Sequence, residues 1–353
     1  MESLKFCRKY KYKEYEERLS CIRKLPYLKG IGSEEIVVSF TKDIRDLLNK
    51  VEKCLNSNSL NKKSSSEVLL LDSHSSATIE GCKTTIDNIK KCIKGTNPSK
   101  DDLMVLNIIN AQKKYRNYHI ANYIDIVNMW KVLSNNVCEN VLSQGTLFRK
   151  EMVYVGSESR IIHTPEKPEK IESKMNLLVK FINSTQVSIL MRGIISHYYI
   201  EYIHPMCDCN GRLGRLLQTV IISNKYDNIY KIPIISVINE NLSGYYKSLQ
   251  DSNVVCTINN KKYLDISPFL EYVLICFLIA FERCKFSLSE NEKKLVIAMK
   301  KRGVGCEITV KNACKVLHSS NESTVRNVLN SLVFYGILSK KKVGNKNIYR
   351  LER

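Results

Sequence analysis

HPMCDCNGRLGR, residues 204–215, places an imidazole, a carboxylate, a glycine and two arginines in one short stretch. Before it, residues 187–203 are apolar at helical spacing through Leu190, Ile194, Ile195, Tyr198 and Tyr199; after it, Leu213, Leu216, Leu217, Val220 and Ile221 repeat the pattern. The stretch therefore reads as a tight loop joining two buried helices. Pro205 cannot continue the first helix, and Gly211 permits the turn that starts the second. Unsatisfied N–H groups at that helix start, with Arg212 and Arg215 one turn apart on one face, predict an anion site suited to phosphates. His204 beside it is suited to take a proton from an attacking hydroxyl. Asp208 is suited to hold magnesium together with substrate phosphates. Base, metal ligand and anion clamp together describe transfer from a nucleoside triphosphate to a hydroxyl, with no protein nucleophile.

Written out, His204-Pro-x-x-Asp208-x-Asn210-Gly211-Arg212-x-x-Arg215 resembles the signature of the Fic family, His-Pro-Phe-x-Asp/Glu-Gly-Asn-Gly-Arg-x-x-Arg. The resemblance implies an enzyme that moves the AMP part of ATP to a Ser, Thr or Tyr hydroxyl of a protein. It implies that His204 is the general base and Asp208 carries magnesium. Asn210, Gly211 and Arg212 would hold phosphates, and Arg215 would bind the γ-phosphate. Met206 stands where the family has Phe, and an unbranched thioether fills such a core gap. Cys209 stands where the family has Gly beside the phosphates, so a side chain there is expected to crowd the cradle or resist a positive φ, weakening activity.

Ser76-x-x-x-Glu80-Gly81 resembles the family's inhibitory helix, which here covers residues 76–93. Ser76 and Glu80 then share a helix face, and a bidentate Glu80 to Arg215 pair is expected to occupy the guanidinium that the γ-phosphate needs. Residues 152–155 and 160–163 are short β-prone runs around a turn and read as a hairpin. Preceded by Gly145-x-x-x-Arg149, they resemble the family's flap. Ile161, Ile162 and His163 would be the edge on which a target segment docks by strand addition. Tyr245 and Tyr246 resemble the family's Tyr-Tyr position near the adenine, although two tyrosines on a helix also suit core packing. Cys207 and Cys209 with His204 invite a zinc reading, but Cys-x-Cys is a poor chelating spacing.

With 353 residues the chain has room for about two or three domains. No apolar run approaches the roughly 18 residues needed to span a bilayer. The N-terminus is basic with no apolar run after it, so the cytoplasm is the expected location and no membrane partner is expected. Thirteen cysteines scattered without regular spacing read as reduced thiols. A net charge of +20 favours acidic partners. Half of it comes from residues 285–353, where 15 Lys and Arg face 5 acids, a surplus of ten.

The expected organisation is mainly α. It comprises an N-terminal helical region (1–100), a Fic-type helical core with a β-hairpin flap (101–286), and a winged-helix domain (287–353). Helices are expected over 36–55, 78–93, 101–115 and 124–142, among others. The C-terminal pattern of helices over 290–301, 309–317 and 321–335, followed by a hairpin with a basic turn at 340–346, is that of a winged helix. It suits DNA, a protein target or a second subunit of a homodimer. The helix over 321–335 offers only Arg326 as a long basic side chain, which is thin for reading bases. The leading expectation is thus an autoinhibited adenylyltransferase acting on a protein, itself included. The alternatives are a DNA-binding regulator with a degenerate Fic core, and a Fic enzyme that removes AMP or transfers another nucleotide.

Overall fold

A computed structural model of the protein describes residues 18, 20–57, 65–138, 147–157, 160–258, 260–285, 289–344 and 346–352. The chain divides into two compact units, Met1–Phe281 and Glu282–Arg353. The boundary expected at 100/101 falls inside the first unit, because the N-terminal elements join its core. Among the described residues no helix is long and apolar enough to cross a membrane.

The first unit begins with strands β1 (Ile22–Lys29) and β2 (Glu35–Ser39) and helix α1 (Lys42–Leu55). The single helix expected over 36–55 is thus a strand followed by a helix. The reason is local: Ile36, Val37 and Val38 are β-branched, and Thr41 caps α1 by accepting the Ile44 N–H at 3.4 Å. Helix α2 (Ser65–Ile79) follows, then α3 (Ile86–Ile93). The helix expected over 78–93 is therefore broken. Gly81, at φ 86°, ends α2: the Cys82 N–H donates to the Ala77 carbonyl and the Gly81 N–H to that of Thr78. This pattern closes a helix with a left-handed residue just past its end, and it makes Glu80 the terminal cap.

Helix α4 (Lys100–Lys114) starts with Ser99 and Asp102, which form a reciprocal capping box. Helix α5 (Tyr123–Ser134) ends earlier than the expected 142; residues 139–142 lie outside the described residues. Strands β3 (Val155–Ser157) and β4 (Arg160–His163) pair antiparallel as the expected hairpin, without Met152, Val153 or Tyr154. Helix α6 (Pro168–Ile182) leads to α7 (Ile189–Ile203) and α8 (Asn210–Ser223). Nearly every residue of α7 and α8 is buried, the two arginines of α8 included. They form the centre of the unit, with α2, α4 and α5 packed around α8.

Helices α9 (Ile234–Glu240) and α10 (Leu242–Ser252), strands β5 (Val255–Ile258) and β6 (Lys261–Asp265), and α11 (Ser267–Lys285) complete the order. One four-stranded sheet, β1-β2-β6-β5, ties the early chain to this late segment, with β2 parallel to β6 and the other pairs antiparallel. It is anchored to the central helices by the Tyr199 hydroxyl donating to the Lys29 carbonyl at 3.0 Å and the Ile31 N–H donating to the Tyr202 hydroxyl at 3.1 Å.

The second unit contains α12 (Glu290–Lys300), β7 (Glu307–Thr309), α13 (Val310–Leu317), α14 (Glu322–Phe334), β8 (Leu338–Val343) and β9 (Lys346–Leu351). Its sheet runs β7-β9-β8, all antiparallel, over a small core that includes Leu295, Met299, Leu329 and Tyr349. The short β7 is an element that the sequence pattern did not reveal.

Candidate active site

The loop between α7 and α8 is held in an unusual backbone path. His204 closes α7 in the left-handed region at φ 50°, and Cys209 opens α8 in the same region at φ 69°. A non-glycine residue there costs roughly 1–2 kcal/mol, so the surroundings must hold it. Several groups do. Asn210 grips the loop from inside: its Nδ2 donates to the Met206 carbonyl at 2.8 Å, and its Oδ1 accepts the Met206 N–H at 2.9 Å. The Asn210 side chain thus ties the loop to the first turn of α8. Met206 itself is buried, in the core position expected of it.

Arg149 is the second clamp. Its Nε donates to the His204 carbonyl at 2.7 Å, its Nη1 to that of Glu151 at 2.7 Å, and its Nη2 to that of Glu166, while the Pro205 carbonyl accepts its backbone N–H at 3.1 Å. Sequence reading marked Arg149 only as preceding the hairpin; Gly145 lies outside the described residues. Arg149→Met is expected to lower stability by roughly 3 kcal/mol, because several buried carbonyls lose their donor. A fall of ~6–12 °C in the thermal midpoint checks it.

The Cys209 side chain turns away to face Cys138, with the two Sγ atoms 3.1 Å apart. Cys138 also donates to Asp208 Oδ2 at 3.3 Å, and Trp130 Nε1 donates to the Asp208 carbonyl at 2.9 Å. Cys207 is not among these donors; the Cys207, Cys209 and His204 grouping weighed from sequence does not form.

Arg212 and Arg215 are buried side chains of α8. Arg212 reaches Asp208 only at 3.7 Å, and its Nε and Nη1 have no hydrogen-bond partner among the described residues. Buried donors left unpaired in this way are costly unless an anion satisfies them. Arg215 is occupied along its Nε and Nη2 edge, while its Nη1 also has no hydrogen-bond partner among the described residues. Its Nη2 donates to Glu80 Oε1 at 2.5 Å and to the Ser76 carbonyl at 3.1 Å, and its Nε donates to Ser76 Oγ at 2.9 Å. The contact uses one carboxylate oxygen of Glu80, where a bidentate pair was expected; Ser76 fills the rest of the guanidinium edge. A Cβ on Gly211 would run into the Glu80 carboxylate, so Glu80 lies directly over the backbone that starts α8. As the terminal cap of α2, Glu80 faces the negative end of that helix, and Arg215 supplies the compensating charge. Burial pulls the Arg215 pKa down, but the carboxylates of Glu80 and Glu201 outweigh it and leave the group more firmly protonated than usual.

Glu201 is a residue that the sequence reading missed. It lies one turn before His204, accepts from the Tyr245 hydroxyl at 2.9 Å, and has Oε1 4.0 Å from Arg215 Nη1. Burial first, then the nearby Glu80 charge, pushes its pKa up to about 7. Tyr245 is wholly buried behind it, in contact also with His197 Nε2 at 3.0 Å. Tyr246 is half exposed and donates to the Ile79 carbonyl at 3.4 Å, at the end of α2. Of the two tyrosines, only Tyr246 faces open space.

His204 is largely buried, and burial lowers its pKa from the ordinary 6.5, opposed by the nearby Glu201 backbone. Its Nδ1 has no partner among the described residues. On the hairpin, Ile161 and Ile162 are exposed at the β4 edge, while His163 Nε2 sits 2.6 Å from the Tyr202 carbonyl and its ring stacks on Tyr202. Thus Ser76, Glu80, Glu201, Gly211 and Arg215 meet at one point, with His204 and Asp208 on the loop and Arg212 in the first turn of α8 beside it.

Comparison with known proteins gives this arrangement a context. Residues 124–222 match the model of the Fic/DOC family. The protein adenylyltransferase Fic of Aedes aegypti is 27% identical over 176 residues, 48% of this chain and 31% of that protein. Its namesake from Nematostella vectensis is 30% identical over 132 residues, 36% of this chain and 26% of that protein. The chain thus matches about a third or less of the length of these curated relatives. Among solved structures, a Fic family protein from Desulfovibrio desulfuricans G20 superposes with a TM-score of 0.59 at 21% identity, covering 88% of this chain and 96% of its own. A Fic domain-containing signalling protein from Bacteroides thetaiotaomicron does so at 0.52 and 19% identity, covering 69% and 96%. These likenesses place the mainly helical fold among Fic structures.

Proposed function

We propose that this chain, which carries a Fic domain, is a protein adenylyltransferase that Glu80 holds in an inhibited state. The observation that carries the reading is the Glu80 carboxylate seated on Arg215 and over Gly211, at the head of a helix whose other arginine, Arg212, has unspent donors. A carboxylate there stands where a phosphate of ATP would go. In the reaction, a Ser, Thr or Tyr hydroxyl of a target protein, or of this chain, attacks the α-phosphorus of ATP. His204 takes the hydroxyl proton, the new oxygen–phosphorus bond forms, and the bond from the α-phosphorus to the bridging oxygen breaks to release diphosphate. Arg212, Arg215 and the N–H groups that open α8 stabilise the charge that develops on the leaving diphosphate. Cys209 already adopts the left-handed path with its side chain turned to Cys138, which supports a cradle left open for phosphates.

Asp208 is the residue that would hold magnesium. Its side chain is 61% exposed, with Oδ1 accepting the Cys209 N–H at 2.5 Å. One accessible carboxylate beside a phosphate cradle fits the usual way in which magnesium is bound, with substrate oxygens completing the shell. When bound, the ion neutralises charge on the phosphate oxygens.

The exposed Ile161 and Ile162 edge of β4 supports docking of an extended target segment by strand addition. The pH dependence follows from His204. A base must be unprotonated, and burial disfavours its protonated form, so activity is full above pH 6.5 and falls only below it. Measuring kcat/KM of Glu80→Gly from pH 5 to 8 checks this; an acid limb centred above 6.5 contradicts it.

For the second unit, the three lysines Lys340, Lys341 and Lys342 on exposed β8 support a winged-helix domain that binds nucleic acid through its phosphates. Retention on DNA should weaken with salt. Changing all three lysines to alanine should lower the slope of log affinity against log salt by up to about 3, since each phosphate contact contributes roughly 0.9.

A further inference from the structure

Three donors converge where the loop meets the segment after α5. Cys138 lies a few residues past the end of α5, Cys209 opens α8, and Asp208 precedes it. One ligand atom from each lies within 4.8 Å of the others, with the two sulfurs 3.1 Å apart and Asp208 Oδ2 3.3 Å from Cys138 Sγ. The scaffold beneath them is fixed. Trp130 holds the Asp208 carbonyl, and the Cys209 N–H occupies Asp208 Oδ1, which leaves Oδ2 turned to the thiols. Cys209 is buried and Asp208 exposed, so the group has a closed floor and an open mouth.

We propose that Cys138, Cys209 and Asp208 form a binding site for a thiophilic divalent cation of the zinc class, with three protein ligands and one open position. Zinc takes sulfur at ~2.3 Å and carboxylate oxygen at ~2.0–2.2 Å in a tetrahedron, so the sulfurs need only separate by roughly 0.7 Å. Two thiolates select zinc against magnesium and calcium, which prefer oxygen. Binding displaces two thiol protons to solvent, and the thiolates form two metal–sulfur bonds. The spacing of Cys207 and Cys209 gave no such set; the fold supplies Cys138 from the segment that follows α5. A functional consequence rests on the adenylyltransferase reading. An ion captured here takes the carboxylate that magnesium needs, so zinc inhibits AMP transfer without touching Glu80.

The test uses the full chain kept under a phosphine reductant. Cobalt(II) serves as the spectroscopic probe, and zinc affinity is read by competition with a chromophoric chelator. The expected result is a thiolate-to-cobalt charge-transfer band. Zinc affinity should fall at least ~100-fold in Cys138→Ser and in Cys209→Ser and ~10-fold or more in Asp208→Asn, against the ~10–100-fold that outer-shell partners are worth. Cys207→Ser, a neighbour outside the set, should bind as the parent does. Three separate ligand variants keep the test decisive where one of them folds poorly. Absence of the thiolate band, or zinc affinity in Cys138→Ser equal to that of the parent, overturns the site.

In the Glu80→Gly background with magnesium, stoichiometric zinc should suppress labelling by ATP, and adding Cys138→Ser should remove that sensitivity. Labelling without a thiolate–cobalt band defeats the metal site alone. A thiolate–cobalt band with no labelling under any condition defeats the adenylyltransferase reading alone.

Discussion

Glu80→Gly is expected to raise incorporation of AMP from ATP into protein roughly 10- to 100-fold. The factor follows from the hydrogen bond between Arg215 and a charged partner, which contributes about 1.5–3 kcal/mol and must be broken before a phosphate takes its place. Two features make glycine the informative replacement. It removes the carboxylate from the space over Gly211, and it keeps the chain turn at Gly81 intact. The same change should lower stability by roughly 1–2 kcal/mol, less than for a fully buried pair because Glu80 is 32% exposed and Glu201 stays 4.0 Å from Arg215. Activity and stability therefore move in opposite directions. ATP should raise the thermal midpoint more in the variant than in the parent. Equal labelling by the two proteins contradicts the inhibitory role of Glu80.

His204→Ala in that activated background is expected to lower transfer about 10²- to 10⁴-fold, the range for loss of a positioned general base. ATP binding should change little, because the anion donors belong to Arg212, Arg215 and the start of α8. An effect confined to KM with kcat unchanged would assign His204 to binding instead. The fold itself should survive, since the carbonyl that Arg149 grips is backbone and remains in the variant.

What the sequence reveals of this arrangement depends on range. The loop between two buried helices is legible because Pro205, Gly211 and the apolar periodicity on both sides are local signals. The capping box at Ser99 is legible for the same reason. Strand β1 is not, since IRKLPYLK lacks clean alternation and its pairing with β2 is decided by tertiary packing. The break at Gly81 is hidden by the apolar spacing that continues through Ile86 and Ile89, although a lone glycine near a helix end is a signal that reading for caps would catch.

At the site, residue types and spacing point to a phosphate loop, whereas the meeting of Glu80 with Arg215 rests on resemblance, because 135 residues separate them. Nothing local distinguishes Glu201 from an ordinary helix-surface acid until Tyr245 and Arg215 are packed against it. Cys138 is the extreme case. It lies 71 residues from Cys209, and only the packing of α5 against α8 brings the thiols together.

In the proposed reaction the AMP part of ATP, and no other part, passes to a protein hydroxyl. The most direct measurement incubates Glu80→Gly with magnesium and ATP labelled at the α-phosphate or, in parallel, at the γ-phosphate, in a lysate and with the purified chain. Protein-bound label is expected from the α position only, lost in the double variant with His204→Ala. Label transferred from the γ-phosphate, or label from the α position that persists without His204, contradicts that reaction.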